Sequence, residues 1–542
     1  HKPFLKWEID KFIQTHKSTD NTIINPSFYL AFGGCKSAIT IHYNDYQHNS
    51  GWIVLGNGYL SKETGFGLAE KNDWKRLIEG EIDWQDMNGQ FIIFKWDEYY
   101  IEVWNDTLGM KDVYFSRSQG YVLISTRLDW VSPYLEKKPW NYSAFGAILL
   151  MPHMLVSQSL LKNVLRLGAA GYVKASIHKF QTGNRRIDLI DFEETDLNHY
   201  FFRLNKSMTL YPDYDKHLLT EYDKSFAKFY ALSLLMNKAK KNWSVLEPFG
   251  KEELEQFTLF QNTFNISSEQ NPGIDDSKRL FNLWKEYLLS TFQTGLPFEL
   301  NYVQFAPQLN KADYTFMQTD YSQFFFSKDD FKANRAFLKA FYENNPDALL
   351  KIFPSDSSWI RSEFLIFLKK GLGQHLDELK KHLSQFVFKT DTQKNQYIVY
   401  YTQGVQNYAQ KLGFMSQYAR FYNPFMFFEL FKNRINLNIT NSQLFKTYHT
   451  QIEANCPELA FYLKSCEKMP VFPNKMNQNL LIYKLFKEEI LETLHSSGIR
   501  KTPYYNLKKL DKILSKAESD DEKYINTIIK CFMFEIIRSH LE

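Results

Sequence analysis

Between residues 51 and 137, apolar and polar positions alternate in short runs broken by turn residues, which predicts consecutive β-strands. Gly89 sits just before the apolar run Phe91-Ile92-Ile93-Phe94, Asp97-Glu98 supplies one turn, and residues 105–109 supply another before the aromatic strand Val113-Tyr114-Phe115. The last of these short strands covers residues 121–126. Near residue 185 the pattern changes to long helical stretches with few glycines. Residues 188–194 read as a linker, and residues 196–210 as the first helix. Within residues 223–240, Phe226, Ala227, Phe229, Tyr230, Leu232, Leu234 and Leu235 surround the helix on most sides, as in a buried helix. The apolar run His217-Leu218-Leu219-Thr220 precedes it and Trp243-Ser244-Val245-Leu246 follows, so strand, helix and strand predict a βαβ unit in a parallel sheet. Beyond residue 325 the pattern is helical throughout, with helices over 330–342, 362–369, 375–386 and 393–412 and others reaching 541. The expected fold class is α/β: an α+β N-terminal domain with antiparallel sheets over residues 1–185, then a parallel-sheet α/β domain with a large helical C-terminal part over 186–542.

Composition narrows the function classes. A chain of 542 residues, 44% hydrophobic and 23% charged, is globular and long enough for two or three domains. A net charge of +4 over that length gives no nucleic-acid footprint, and clusters such as Lys238-Ala239-Lys240-Lys241 read as solvated helix ends. Aromatic residues reach 17%, and runs such as Phe324-Phe325-Phe326 and 425–428 read as core or interface. Cys35, Cys456, Cys466 and Cys531 show no paired spacing, which argues against a disulfide framework or a structural zinc site. No window provides the roughly 20 apolar residues needed to cross a bilayer. The charged first residues do not read as a signal peptide, so the expected compartment is reducing, aqueous and cytoplasmic. No metalloprotease, Walker, dinucleotide or nucleophile-elbow motif is present.

Three phrases occur in a fixed order: residues 87–92 around Gly89, residues 106–114 from Asp106 through Gly109 to Tyr114, and residues 120–126. With the later run 160–172, this order resembles the N-terminal glutaminase-type domain of class-B asparagine synthetases over about the first third of the chain. Such a domain uses an N-terminal cysteine nucleophile, whereas this chain opens His1-Lys2-Pro3. Cys35 lies in an apolar run and reads as a buried small side chain, so no glutaminase activity is expected. Asn57-Gly58 resembles the family's oxyanion-hole pair, although an Asn-Gly dipeptide is first of all a hairpin turn.

The βαβ unit stands where that family places its ATP-pyrophosphatase-type domain, whose S-G-G-x-D-S loop brings bare backbone amides to the pyrophosphate. The matching stretch is Thr220-Glu221-Tyr222-Asp223-Lys224-Ser225. Thr220, Asp223 and Ser225 are the candidate nucleotide-contacting residues, and Glu221 stands where a glycine is expected. Lys224 is the candidate to offset that acid. Residues 271–277 form a second, lower-ranked match whose alternative is a turn capping the next helix. The family's magnesium loop is similar to residues 317–324, where Asp320 keeps a single acid and is the candidate metal ligand. Residues 412–430 resemble a further family phrase, with Arg420 before an extended segment and Asn423 capping Pro424. Two function classes follow from the resemblance. One is a noncatalytic binding or assembly module with a protein partner and no cofactor. The other is an ATP- and Mg-dependent amide-forming ligase of the β-lactam-synthetase or lasso-cyclase kind.

Overall fold

The computed structural model describes residues 11, 21–25, 28–62, 65–118, 121–151, 153–176, 179–188, 195–209, 217–222, 226–238, 243–248, 251–270, 277–292, 314–319, 325, 334–353, 356–437, 439–468, 478–517 and 522–542. The architecture is mixed α/β, with antiparallel sheets in the first part, a parallel sheet after them and helices toward the C-terminus.

The first strands are β1 (Asn21–Ile24) and β2 (Tyr29–Phe32), which pair with each other, followed by β3 (Ile39–Tyr43), β4 (Gly51–Lys62), β5 (Gly65–Leu68), β6 (Met87–Trp96) and β7 (Tyr100–Asn105). After β8 (Tyr114–Ser118), β9 (Tyr121–Ser125) and β10 (Leu165–Arg166) come β11 (Gly171–Ser176) and β12 (Phe180–Asn184). One sheet runs β12-β11-β7-β6-β4-β3 with β5 paired to β4, and a second runs β10-β8-β9. The period of two explains the layers. Phe91 and Ile93 of β6 pack with Trp52, Trp74, Leu77 and Trp84, while the alternate residues Ile92 and Phe94 pack with Val113, Phe115 and Val173. Trp74 and Leu77 belong to a helix, Lys71–Glu79, that lies inside the stretch read from sequence as strands and turns only. Its apolar positions at 74, 77 and 78 follow helical spacing, and Glu70 and Asp73 form a capping box at its start. The Asp97 turn is as expected, with its carboxylate accepting from the amides of Tyr99 and Tyr100.

The second sheet system is parallel. β13 (Leu218–Glu221), β14 (Trp243–Leu246), β15 (Ser268–Glu269), β16 (Thr315–Met317) and β17 (Arg420–Tyr422) lie in the order β15-β14-β13-β16-β17, every neighbour parallel. The helix Phe226–Lys238 links β13 to β14, completing the βαβ unit read from its all-round apolar pattern. Asn423 caps as expected, its side chain accepting from the Phe425 amide, though the turn it starts is a short 3₁₀ segment, Pro424–Met426, ahead of the helix Phe428–Ile435.

Two helices expected over 362–369 and 375–386 are one continuous helix, Ser362–Leu383. Gly371, in the gap between the two expected helices, serves close packing. A β-carbon on Gly371 would collide with the Tyr142 carbonyl, and one on Gly146 of the helix Tyr142–Leu150 would collide with the Leu368 carbonyl. Deeper along the same helix, the His375 ring is fully buried between the Leu155 amide, which donates to Nε2 at 2.9 Å, and Gln158 Oε1, 2.6 Å from Nδ1. The stretch expected as one helix over 393–412 is interrupted by a π-helical turn, Tyr400–Val405, between the helices Asp391–Val399 and Gln406–Met415. On that turn the Thr402 carbonyl faces His153 Nε2 at 2.8 Å. The aromatic run 425–428 is buried, as is Phe325, in agreement with a core role. Among the described residues no helix is long and apolar enough to cross a membrane.

Candidate functional site

In the parallel sheet, chain order runs outward in one direction from β13 through β14 to β15 and in the other through β16 to β17, so the direction of winding switches between β13 and β16. Ligands of open α/β sheets bind outside the carboxyl ends of the strands at such a point. Here those ends carry Thr220 and Glu221 on β13 and Met317, Gln318 and Thr319 at and beyond the end of β16.

The space between the ends is filled by side chains. Thr220 Oγ1 donates to the Met317 carbonyl at 3.1 Å and accepts from Lys228 Nζ at 2.9 Å. Lys228 rises from the first turns of the following helix, and its ammonium lies 4.0 Å from Glu221 Oε1. Thr220 and Lys228 are 0% exposed and Glu221 is 8% exposed, so this is an internal charge pair held by a hydroxyl. On the β16 side, the Gln318 amide donates to the Tyr422 carbonyl at 2.9 Å, and the Tyr408 hydroxyl donates to Gln318 Oε1. Gln318 and Thr319 are also buried.

Of the residues nominated from sequence, Thr220 stands at this point. Asp223, Ser225, Lys224 and Asp320 lie outside the described residues, as does the 271–276 part of the second candidate loop. Among the described residues, Lys228 is a cation that faces Glu221, and the sequence reading passed it over. Its signal was present: a single lysine early in a helix otherwise apolar on every side, within reach of the acid that ends the preceding strand.

Asn57 and Gly58 lie far from any turn. They sit inside the 12-residue strand β4, opposite Gln90 and Gly89 of β6, which corrects the hairpin expectation. The reason is packing: the Trp74 ring lies against Gly58 so closely that a β-carbon there would overlap it, and Asn57 is buried. Gly56, just before the pair, and Gly89, opposite Gly58, take φ of +124° and +114°, a conformation that glycine adopts without strain. Among the described residues there is no group of three or more His, Cys, Asp or Glu arranged to hold a metal ion.

No family model matches the chain, and no curated protein matches it. Among solved structures it is similar to glutamine phosphoribosylpyrophosphate (PRPP) amidotransferase from B. subtilis complexed with ADP and GMP, at 7% identity and a TM-score of 0.16. That match covers 43% of this chain and 48% of that one, so the chain spans about half the length of the structure it matches. A TM-score of that size carries no argument.

One loop holds a second concentration of charge. Asp106 is buried, and its carboxylate accepts from the amides of Leu108, Met110 and Lys111 at 3.0–3.1 Å. Burial pushes this carboxyl up to about 7 against the pull of those amides. The loop then presents Lys111, whose Nζ donates to Ser416 Oγ at 2.9 Å, and Asp112, which accepts from Arg166 Nε at 2.8 Å and from the Tyr114 hydroxyl at 3.2 Å. Cys35 is buried as expected, with Sγ 3.2 Å from Ser37 Oγ.

Proposed function

We propose that this protein is a noncatalytic binding or assembly module on an asparagine-synthetase-like frame, with a glutaminase-like unit over residues 1–185 and a synthetase-like unit over 186–542, acting through a protein partner. The observation that carries this reading is the filling of the winding switch by Thr220, Glu221 and Lys228. A triphosphate tail needs bare backbone amides and free positive charge at that place. Here the strand end offers a β-branched hydroxyl and an acid, and the Lys228 ammonium is engaged by both inside the fold. Bringing phosphate within about 4 Å of Glu221 would cost roughly 4 kcal/mol at an effective dielectric near 20.

A second reading, the ATP-dependent amide-forming ligase, draws support from the strand order, which creates a switch point of the kind that binds nucleotides. Mg·ATP separates the two. Under the noncatalytic reading, the melting temperature is unchanged by Mg·ATP and no ATP–pyrophosphate exchange is detected. Saturating ligand at about 100 times its Kd would stabilise the fold by about 2.7 kcal/mol, well within the reach of a thermal-shift measurement. A robust shift that disappears in Asp223→Ala overturns the noncatalytic reading in favour of the ligase.

A further inference from the structure

A cavity of about 80 Å³ lies where the Asp106 loop meets the segment 413–417, lined by Cys35, Gly56, Lys111, Asp112, Ser416 and Gln417 among others. Its volume exceeds what a single water needs and admits a solute of a few heavy atoms. The polar groups on its wall differ in how fully they are used. Both Asp112 oxygens are engaged, one by Arg166 and the other by the Tyr114 hydroxyl. Ser416 Oγ donates to the Gly413 carbonyl at 3.1 Å and accepts from Lys111. An ammonium has three N–H donors, and among the described residues the one hydrogen bond of Lys111 goes to Ser416 Oγ. Two charged donors are thus left beside a cavity that Lys111 and Cys35 both line. Burial draws Lys111 down to about 8, with Asp106 and Cys35 acting in the opposite direction, so the amine stays mostly protonated at neutral pH and the thiol lies within its field.

We propose that this cavity is a binding site for a small carboxylate, whose oxygens accept from Lys111 Nζ while its carbon end lies against the Cys35 thiol. The proposal goes beyond the assembly reading and does not depend on whether the winding switch binds nucleotide.

The test uses two alkylating probes of nearly equal size and opposite character, iodoacetate and iodoacetamide, applied to the native full chain, with labelling at Cys35 followed by peptide mass spectrometry. In each case the Cys35 sulfur forms a bond to the methylene carbon, the carbon–iodine bond breaks, iodide leaves and the thiol proton passes to buffer. The expected result is that iodoacetate labels Cys35 faster than iodoacetamide by about tenfold or more, since a fixed charge raises the local concentration of a counter-ion by that order. Excess propionate is expected to slow the iodoacetate reaction and to leave labelling of the unfolded chain unchanged. Lys111→Met should abolish the preference and Lys111→Arg should retain it. If Lys111→Met does not fold, the propionate competition on the native protein decides alone. Equal or faster labelling by iodoacetamide, a preference that survives Lys111→Met, no effect of propionate, or a Cys35 that reacts only after unfolding would each overturn the proposal.

Discussion

Lys228 and Lys111 are both drawn inward from the surface, and they are held in opposite ways. Lys228 is 0% exposed and closes on groups from its own βαβ unit, the Thr220 hydroxyl at 2.9 Å and the Glu221 carboxylate at 4.0 Å. Lys111 is half-buried, makes one hydrogen bond to a neighbouring segment, and borders a cavity. The first charge supports the architecture, since its partners arrive with the strand and helix that carry it. The second is carried by a loop whose own carboxylate, Asp106, accepts from three backbone amides, while the ammonium donates to Ser416 on another segment. A buried cation alone therefore does not mark a ligand site; unused donors facing open space do.

The largest effect should come from breaking the closed pair. Lys228→Met removes the cation from a carboxylate that stays inside the fold, and loss of one partner of such a pair typically costs about 3–5 kcal/mol. Urea denaturation should show that loss, and adding Glu221→Gln to Lys228→Met should recover most of it, because two neutral side chains leave no buried charge uncompensated. A single-mutant cost below about 1 kcal/mol would mean that the pair is solvated and the winding switch is open, which would weaken the contrast with Lys111 and the assembly reading together.

Much of this frame was legible in the residues. The helix Phe226–Lys238 could be recognised as buried because apolar residues circle it, and the strands on either side follow from their length and β-branched or aromatic content. The antiparallel meander likewise showed in its turn residues. The helix Lys71–Glu79 was missed because its three buried residues sit among six polar ones, too few to stand out from the strands around it. Gly58 of β4 misled because glycine is favoured both where the chain turns and where a neighbour comes too close for a β-carbon, and only the packed structure separates the two. The site was less legible still. Thr220 could be nominated through the resemblance to a synthetase loop, but the ammonium that engages it comes from eight residues further on, and the Cys35 and Lys111 cavity unites segments separated by hundreds of positions.

The next effect in size is acid sensitivity, and it belongs to the region that resembles Lys228 in being fully enclosed. Burial lowers His153 and His382 to about 4 and His375 to about 3. In the unfolded chain these rings titrate near the ordinary histidine value of about 6.5, so between that value and the folded ones the unfolded chain binds more protons and stability falls as pH falls. His375 shows why: its Nε2 accepts the Leu155 amide, so a proton added there would face another N–H. Asp106, raised to about 7, works the other way, since the folded state holds its proton in the window from about 4 to 7 and loses stability as pH rises through it. Asp86 and Glu429, also raised by burial, act in the same direction as Asp106, but the three histidines carry the larger shifts below their ordinary value and leave a net loss on acidification. Denaturation midpoints at pH 7, 6 and 5 should therefore decline, each histidine's slope rising toward about 1.4 kcal/mol per pH unit below about pH 6. His375→Gln, which keeps a donor and an acceptor, should flatten the decline by one histidine's share. A stability profile flat from pH 7 to 5 would show that these rings reach solvent.

The smallest effect sharpens the comparison most. If Lys111 serves a ligand and Lys228 serves the fold, Lys111→Met should change stability by no more than about 1 kcal/mol, the ordinary net worth of a single hydrogen bond. Ser416 Oγ keeps its bond to the Gly413 carbonyl, and Asp106 keeps its amides, so the substitution strands no buried partner of the kind that makes Lys228 costly. The methionine stem replaces the lysine stem at similar volume, and the desolvation that draws the amine down to about 8 is relieved, which offsets part of the lost bond. Urea midpoints of the two lysine variants measured side by side give the ratio directly: a Lys111→Met cost comparable to that of Lys228→Met would make both lysines structural and leave the cavity as a packing defect, whereas a small cost joined to loss of the iodoacetate preference separates binding from folding in one substitution.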